Sequence, residues 1–140
     1  MALGTVTVDL THLAIGDPAA IRRAFIRLGP LTRKIAKQWT ERAEKNAPIL
    51  SGDLRKGLTV VPVLDVVRLT ITWEAGGTAP YTLRMHEAVY NLGPRSKRQP
   101  GTPEGGVGRK YFSRVLAHWE DQWLTQLATE FGQYLVEENL

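Results

Sequence analysis

The chain has 140 residues, 43% hydrophobic and 23% charged, which supplies one packed core and leaves too little length for a second domain. With no cysteine and no run near the ~18 apolar residues that span a bilayer, it excludes disulfide staples, thiolate metal sites, a cysteine nucleophile and a membrane helix. The net charge of +4 is a patchwork, +4 in residues 1–88, +4 in 89–110 and −4 in 111–140, not the single basic face of a nucleic-acid binder.

The opening MALGTVTVDL has neither the basic start nor the continuous apolar segment of a signal peptide, so a soluble intracellular chain is expected. Within it Thr5-Val6-Thr7-Val8-Asp9-Leu10 alternates as a short edge strand, or as an arm that pairs with something else. Asp17-Pro18 is a helix start, with Asp as N-cap and Pro at the first helical position. Ile21, Phe25, Leu28, Ile35, Trp39 and Ala43 then recur at helical spacing, with Thr32 in the one weak turn. Gly29-Pro30 interrupts the stripe without shifting its phase, which predicts one long kinked helix over 18–47. Asn46-Ala47-Pro48 ends it, because a residue before proline avoids the helical region.

Ser51-Gly52-Asp53 reads as a turn. Two β-rich runs follow, 58–63 and 66–73, joined through Leu64-Asp65; in the second, Val67, Leu69, Ile71 and Trp73 form the buried side. Gly76-Gly77 is expected to turn the chain into a third strand, Tyr81 to Ala88. The expected fold is therefore α+β: a small antiparallel meander packed against a long N-terminal and a long C-terminal helix. Residues 89–108 hold prolines and glycines without periodicity and are expected to form an extended, flexible loop. Phe112, Leu116, Trp119, Trp123, Leu127, Phe131 and Leu135 then mark a second amphipathic helix to about Glu138. Each helix would be roughly 40–45 Å long, more than a small sheet covers, so the excess is expected to pack on another molecule.

Catalytic chemistry finds little support. His118 and Asp121 read as a solvated helix contact rather than a metal pair, since zinc takes three or four ligands. On a strand, His86 and Glu87 would point to opposite faces and could not act together. No serine sits in a GxSxG elbow. Gly105-Gly106-Val107-Gly108-Arg109-Lys110 precedes a helix as phosphate cradles do, but lacks the GxxxxGK[ST] form and reads better as a hinge. No catalytic residue, cofactor site or metal site is assigned. The cluster Arg95, Lys97 and Arg98 admits three readings: a solvated loop, a contact to DNA phosphates, or a dock for an acidic partner such as the last helix of a neighbouring copy. Trp119 and Trp123, one turn apart, read as core or as an intermolecular hot spot.

The order of motifs resembles the small neck proteins of tailed bacteriophages, a family described as tail-completion, head–tail joining or minor capsid-like. The resemblance rests on Ala43-Glu44-Lys45-Asn46-Ala47-Pro48, then Ser51-Gly52-Asp53-Leu54-Arg55, then Tyr81 with Met85-His86-Glu87, then Lys110-Tyr111-Phe112 opening the last helix. It spans roughly residues 20–130. The family's Glu-x-Gly-Thr element is replaced here by Glu87-Ala88-Val89-Tyr90. The resemblance implies a structural virion protein without catalytic residues, present in the host cytoplasm during assembly and then at the head–tail junction. It implies a cyclic homo-oligomer, a hexamer or dodecamer, stacked on other neck proteins (connector, stopper, tail terminator or tail tube), with non-specific contact to passing DNA and none to a membrane. In that reading Asn46, Pro48, Ser51, Gly52, Leu54 and Arg55 hold the helix-to-sheet turn. Arg95, Lys97, Arg98, Arg109, Lys110, Trp119 and Trp123 would contact partners. The basic helix 18–47 and acidic helix 111–138 suit a head-to-tail contact between copies, or pair within one subunit. The rival reading is a small basic nucleic-acid-binding regulator.

Overall fold

The N-terminal residues build one edge of the sheet. The computed structural model describes residues 2–48, 53–79, 82–87, 92, 96, 101–103 and 107–140. Strand β1 (Ala2–Asp9) pairs antiparallel with β3 (Thr70–Gly77), which pairs antiparallel with β2 (Leu58–Asp65), giving the order β1-β3-β2. The α+β class holds, and the third strand is β1 rather than 81–88; residues Thr82–Glu87 form a short helix, α4. The β2–β3 connection also lies further on than expected. Leu64 and Asp65 remain in β2, and Gly76 and Gly77 remain in β3. Val66 to Leu69 make the turn instead, because the Asp65 carboxylate accepts from the amides of Val67 and Arg68, each at 3.1 Å, and Leu69 takes a positive φ of 55°. Ile71, Trp73 and Ala75 therefore form the buried row of β3, while Val67 is 91% exposed.

Helix α1 (Pro18–Ile26) opens as its sequence predicts, with the Asp17 carboxylate accepting from the amides of Ala19 and Ala20. The chain bends at Arg27 and Leu28, and α2 (Gly29–Asn46) starts with Pro30 in its first turn, where a missing N–H costs nothing. Leu28 is fully buried at the bend, so the apolar stripe stays in phase across it. Thr32 is buried too: its hydroxyl donates to the Gly29 carbonyl at 2.7 Å, and its own carbonyl accepts from Trp73 Nε1 at 3.1 Å. The helix stops at Asn46, with Ala47 extended before Pro48. A short helical turn, α3 (Asp53–Lys56), leads into β2.

Helix α5 (Tyr111–Glu138) has 28 residues, about 42 Å at the usual rise. Its aromatic stripe is buried on two partners. Near its start Phe112 and Trp123 meet Trp39 of α2 at centroid distances of 5.8 and 6.3 Å; near its end Phe131 meets Phe25 of α1 edge-on at 6.4 Å. Helix α1 thus covers one face of the C-terminal part of α5, within the chain, while Leu124 and Val136 stay exposed. Part of the opposite charge on the two helices is likewise spent within the chain: Arg23 pairs with Glu138 at 3.0 Å, and Arg27 with Glu137 at 2.6 Å and Glu138 at 3.3 Å. These pairs are exposed and screened by salt, so they orient the helix ends more than they stabilise them.

Candidate functional site

The residues singled out around the helix-to-sheet turn converge on the C-terminal end of α2. A helix leaves its last carbonyls without internal partners, and cations are favoured there. Arg55 supplies both needs, its Nε donating to the Ala47 carbonyl at 2.8 Å and Nη2 to the Lys45 carbonyl at 3.1 Å. Leu54 is buried beneath it. Asn46, fully buried, gathers the distant segment: its Nδ2 donates to Thr102 Oγ1 at 2.8 Å, its Oδ1 accepts from the Thr102 amide at 3.0 Å, and its carbonyl accepts from the Gly108 amide at 2.8 Å. The described part of the expected flexible loop is therefore docked on its own chain, and Ser96 is buried with it. Ser51 and Gly52, and the basic Arg95, Lys97 and Arg98, lie outside the described residues.

Residues 107–110 carry the chain from this junction to α5. The Gly108 amide is bound to Asn46 and the Lys110 amide to the His86 carbonyl, so neither is turned to an anion as a phosphate cradle requires. Arg109 donates from Nε and Nη2 to the Glu87 carbonyl at 3.2 and 2.9 Å, and the Lys110 ammonium pairs with the Glu87 carboxylate. Both cations proposed as partner contacts are engaged at the end of α4. Lys110 adopts a left-handed backbone, φ 59°, as the chain turns into the helix.

His86 and Glu87 lie on a helix rather than a strand, and they do meet. His86 Nδ1 is 3.0 Å from Glu87 Oε1, its Nε2 is 3.4 Å from Ser113 Oγ, and Tyr111 stands edge-on to its ring at 4.9 Å. Ser113, His86 and Glu87 follow the order of nucleophile, base and orienting acid. The serine contact, however, is longer than the about 2.6–3.2 Å over which a proton is passed, and Glu87 is shared with Lys110. What the group does chemically is tie α4 to the first turn of α5. The signal for it was Arg84, Met85 and Glu87, good helix formers in a segment too short to display a period.

Burial, partly offset by Glu87, holds the His86 imidazole below its ordinary pKa, while Lys110 and His86 hold the Glu87 carboxyl below its own. His86 is only 2% exposed. As pH falls below the ordinary histidine value of about 6.5, the unfolded chain takes up a proton before the folded one does. Stability from this group is complete above that value and declines beneath it. Denaturant midpoints between pH 7.5 and 5 should therefore fall for the parent chain and fall less for His86→Gln; an identical slope would assign the effect to another group.

Trp123 is 5% exposed and packs in the core between Trp39 and Trp119. Trp119 is partly buried, stacked on Trp123 at 6.3 Å, with the Arg42 guanidinium 4.5 Å from its ring centroid. The pair thus sits mostly inside the chain.

Open surface lies along β1. An apolar groove of about 270 Å³ runs between this strand and α5, lined by Val6, Val8, Trp39, Leu116, Trp123 and Leu124, with Glu120 at its rim. Because the Leu10 amide donates to the Leu69 carbonyl at 3.0 Å, alternation along the antiparallel pair turns the backbone groups of Thr5 and Thr7 away from β3. The sheet face opposite the helices is open too, with Val61 and Val63 53% and 58% exposed. Among the described residues no cluster of three potential metal ligands occurs, and no helix is long and apolar enough to cross a membrane.

Comparison with family models, curated proteins and solved structures returned no match to this chain.

Proposed function

We propose that the chain is a structural assembly protein of a tailed phage or prophage, forming a ring at the head–tail junction that completes or joins the tail and lets DNA pass. One observation carries this reading. Among the described residues that carry the resemblance to neck proteins, several are ones on which the architecture hinges: Asn46 gathers Thr102 and Gly108, Arg55 closes α2, and Lys110-Tyr111 starts α5 against α4. A motif that fixes a scaffold, rather than lining a reaction centre, fits a protein whose work is to present surfaces. In this reading its partners are further copies of itself and the neck proteins above and below, it has no catalytic residue or cofactor, and its place is the virion, after assembly in the host cytoplasm.

The test is the mass of the purified full chain by light scattering over a concentration series at low and high salt. The expected result is a discrete species near six or twelve times 15.6 kDa, alone or on addition of a purified neck partner. A stable dimer at every concentration, with DNA affinity that falls steeply with salt, would instead establish the regulator.

A further inference from the structure

We infer that the groove between β1 and α5 receives the β2–β3 turn of a second copy, with Val67 entering the groove and Arg68 meeting Glu120. The inference rests on the ring reading and names the contact that would build it. The turn offers the matching chemistry. Among the described residues Val67 is 91% exposed, an apolar side chain left uncovered, and Arg68 beside it is 81% exposed, its ion pair being with Asp65 at 3.9 Å. The groove offers the complement, an apolar floor with a single carboxylate in its lining, and Glu120 makes no ion pair among the described residues. Val67 together with the methylene stem of Arg68 suits such a floor, leaving the guanidinium at the rim beside the carboxylate.

The turn projects from the end of the sheet, whereas the groove opens on its β1 flank. Each copy therefore presents a knob and a hole at different places, and Val67 and Arg68 do not line their own groove. In the ring reading this contact is heterologous: copies add head to tail and close into a ring when the rotation allows, whereas a reciprocal two-fold exchange of knobs would stop at two copies. A two-fold contact of groove on groove is disfavoured, since it would set Glu120 of each copy against the same acidic rim.

Two experiments on the full chain test this. Because the chain has no cysteine, the double variant Val67→Cys/Leu124→Cys places the only thiols on the knob and at the groove. Mild oxidation should give a ladder of covalent multimers, and neither single variant should exceed a trace of dimer. A product that stops at two copies overturns the head-to-tail arrangement, and absence of disulfide where the parent chain is multimeric overturns the contact while leaving the ring reading intact. If the parent chain is monomeric throughout and no disulfide forms, the contact falls, and the ring reading is then judged by the partner-addition arm above. Charge exchange gives the second readout. Arg68→Glu and Glu120→Arg should each raise the concentration for half-assembly roughly tenfold or more, and the combined variant should restore it. Circular dichroism checks that all three remain folded; failure of the combined variant to recover overturns the pairing.

Discussion

Replacing Trp39 with alanine is expected to destabilise the fold by about 3–5 kcal/mol, the usual range for deleting a buried tryptophan. At this chain length that corresponds to a thermal midpoint roughly 10–15 °C lower. Trp39 is 4% exposed and stands where α2, the sheet and the start of α5 meet. Its ring touches Phe112 and Trp123, and its Nε1 donates to the Phe112 carbonyl at 2.9 Å, so the substitution opens a cavity and also removes a buried hydrogen bond between α2 and α5. Trp39→Phe separates the two effects, keeping most of the packing and losing the donor, and should be clearly less damaging than alanine. Denaturant unfolding followed by circular dichroism measures both. A Trp39→Ala cost under about 1 kcal/mol would mean that α5 does not seat on this ring.

Asn46→Ala is expected to have the next largest effect, about 2–3 kcal/mol, although it removes only a few atoms. The buried Asn46 side chain satisfies the part-buried Thr102 amide and hydroxyl, and alanine removes that protein partner of the amide. The Gly108 amide, bound to the main-chain carbonyl of Asn46, keeps its acceptor. Hydrogen exchange discriminates between these: the Thr102 amide should exchange on the order of ten to a hundred times faster in the variant, with a smaller change at Gly108. Equal acceleration at both would show that the segment depends on the helix end as a whole and not on this side chain.

The long helices were legible because their signals are local and repeated. Seven apolar residues from Phe112 to Leu135 keep one period, and α5 runs from Tyr111 to Glu138 as that period indicates. The Asp17-Pro18 start and Ala47-Pro48 stop act through neighbouring backbone and read equally well. The sheet was misread where the deciding contact is remote. Val66, Val67 and Leu69 have the composition of a strand, but pairing of Leu58 with Gly77 through Asp65 with Thr70 forces them into the turn. The Asp65 carboxylate was the available clue. Thr82–Glu87 is too short to show a period, and its helical form depends on neighbours far along the chain, including the Tyr111 hydroxyl on the Thr82 carbonyl at 2.8 Å. The edge strand showed in the alternation from Thr5 to Leu10, whereas the groove beside it has no sequence signature, since it arises from what fails to be covered.

The placement of β1 and α1 also governs how the chain acquires its fold. Thr7 finds Thr72, 65 positions away, and Arg23 finds Glu138, 115 positions away. The Asp17 amide donates to the Asn139 side-chain oxygen, 122 positions on. Contacts so distant must overcome loop-closure entropy before they return any stabilisation, which puts this chain among the slower folders of its size. During synthesis β1 waits for β3, and the apolar face of α1 waits until the last helix has been made, the interval in which exposed strands and apolar stripes associate with the wrong neighbour. Fragments ending before Phe131 lack the ring against which Phe25 closes, so α1 has its seat only once most of the last helix has been made.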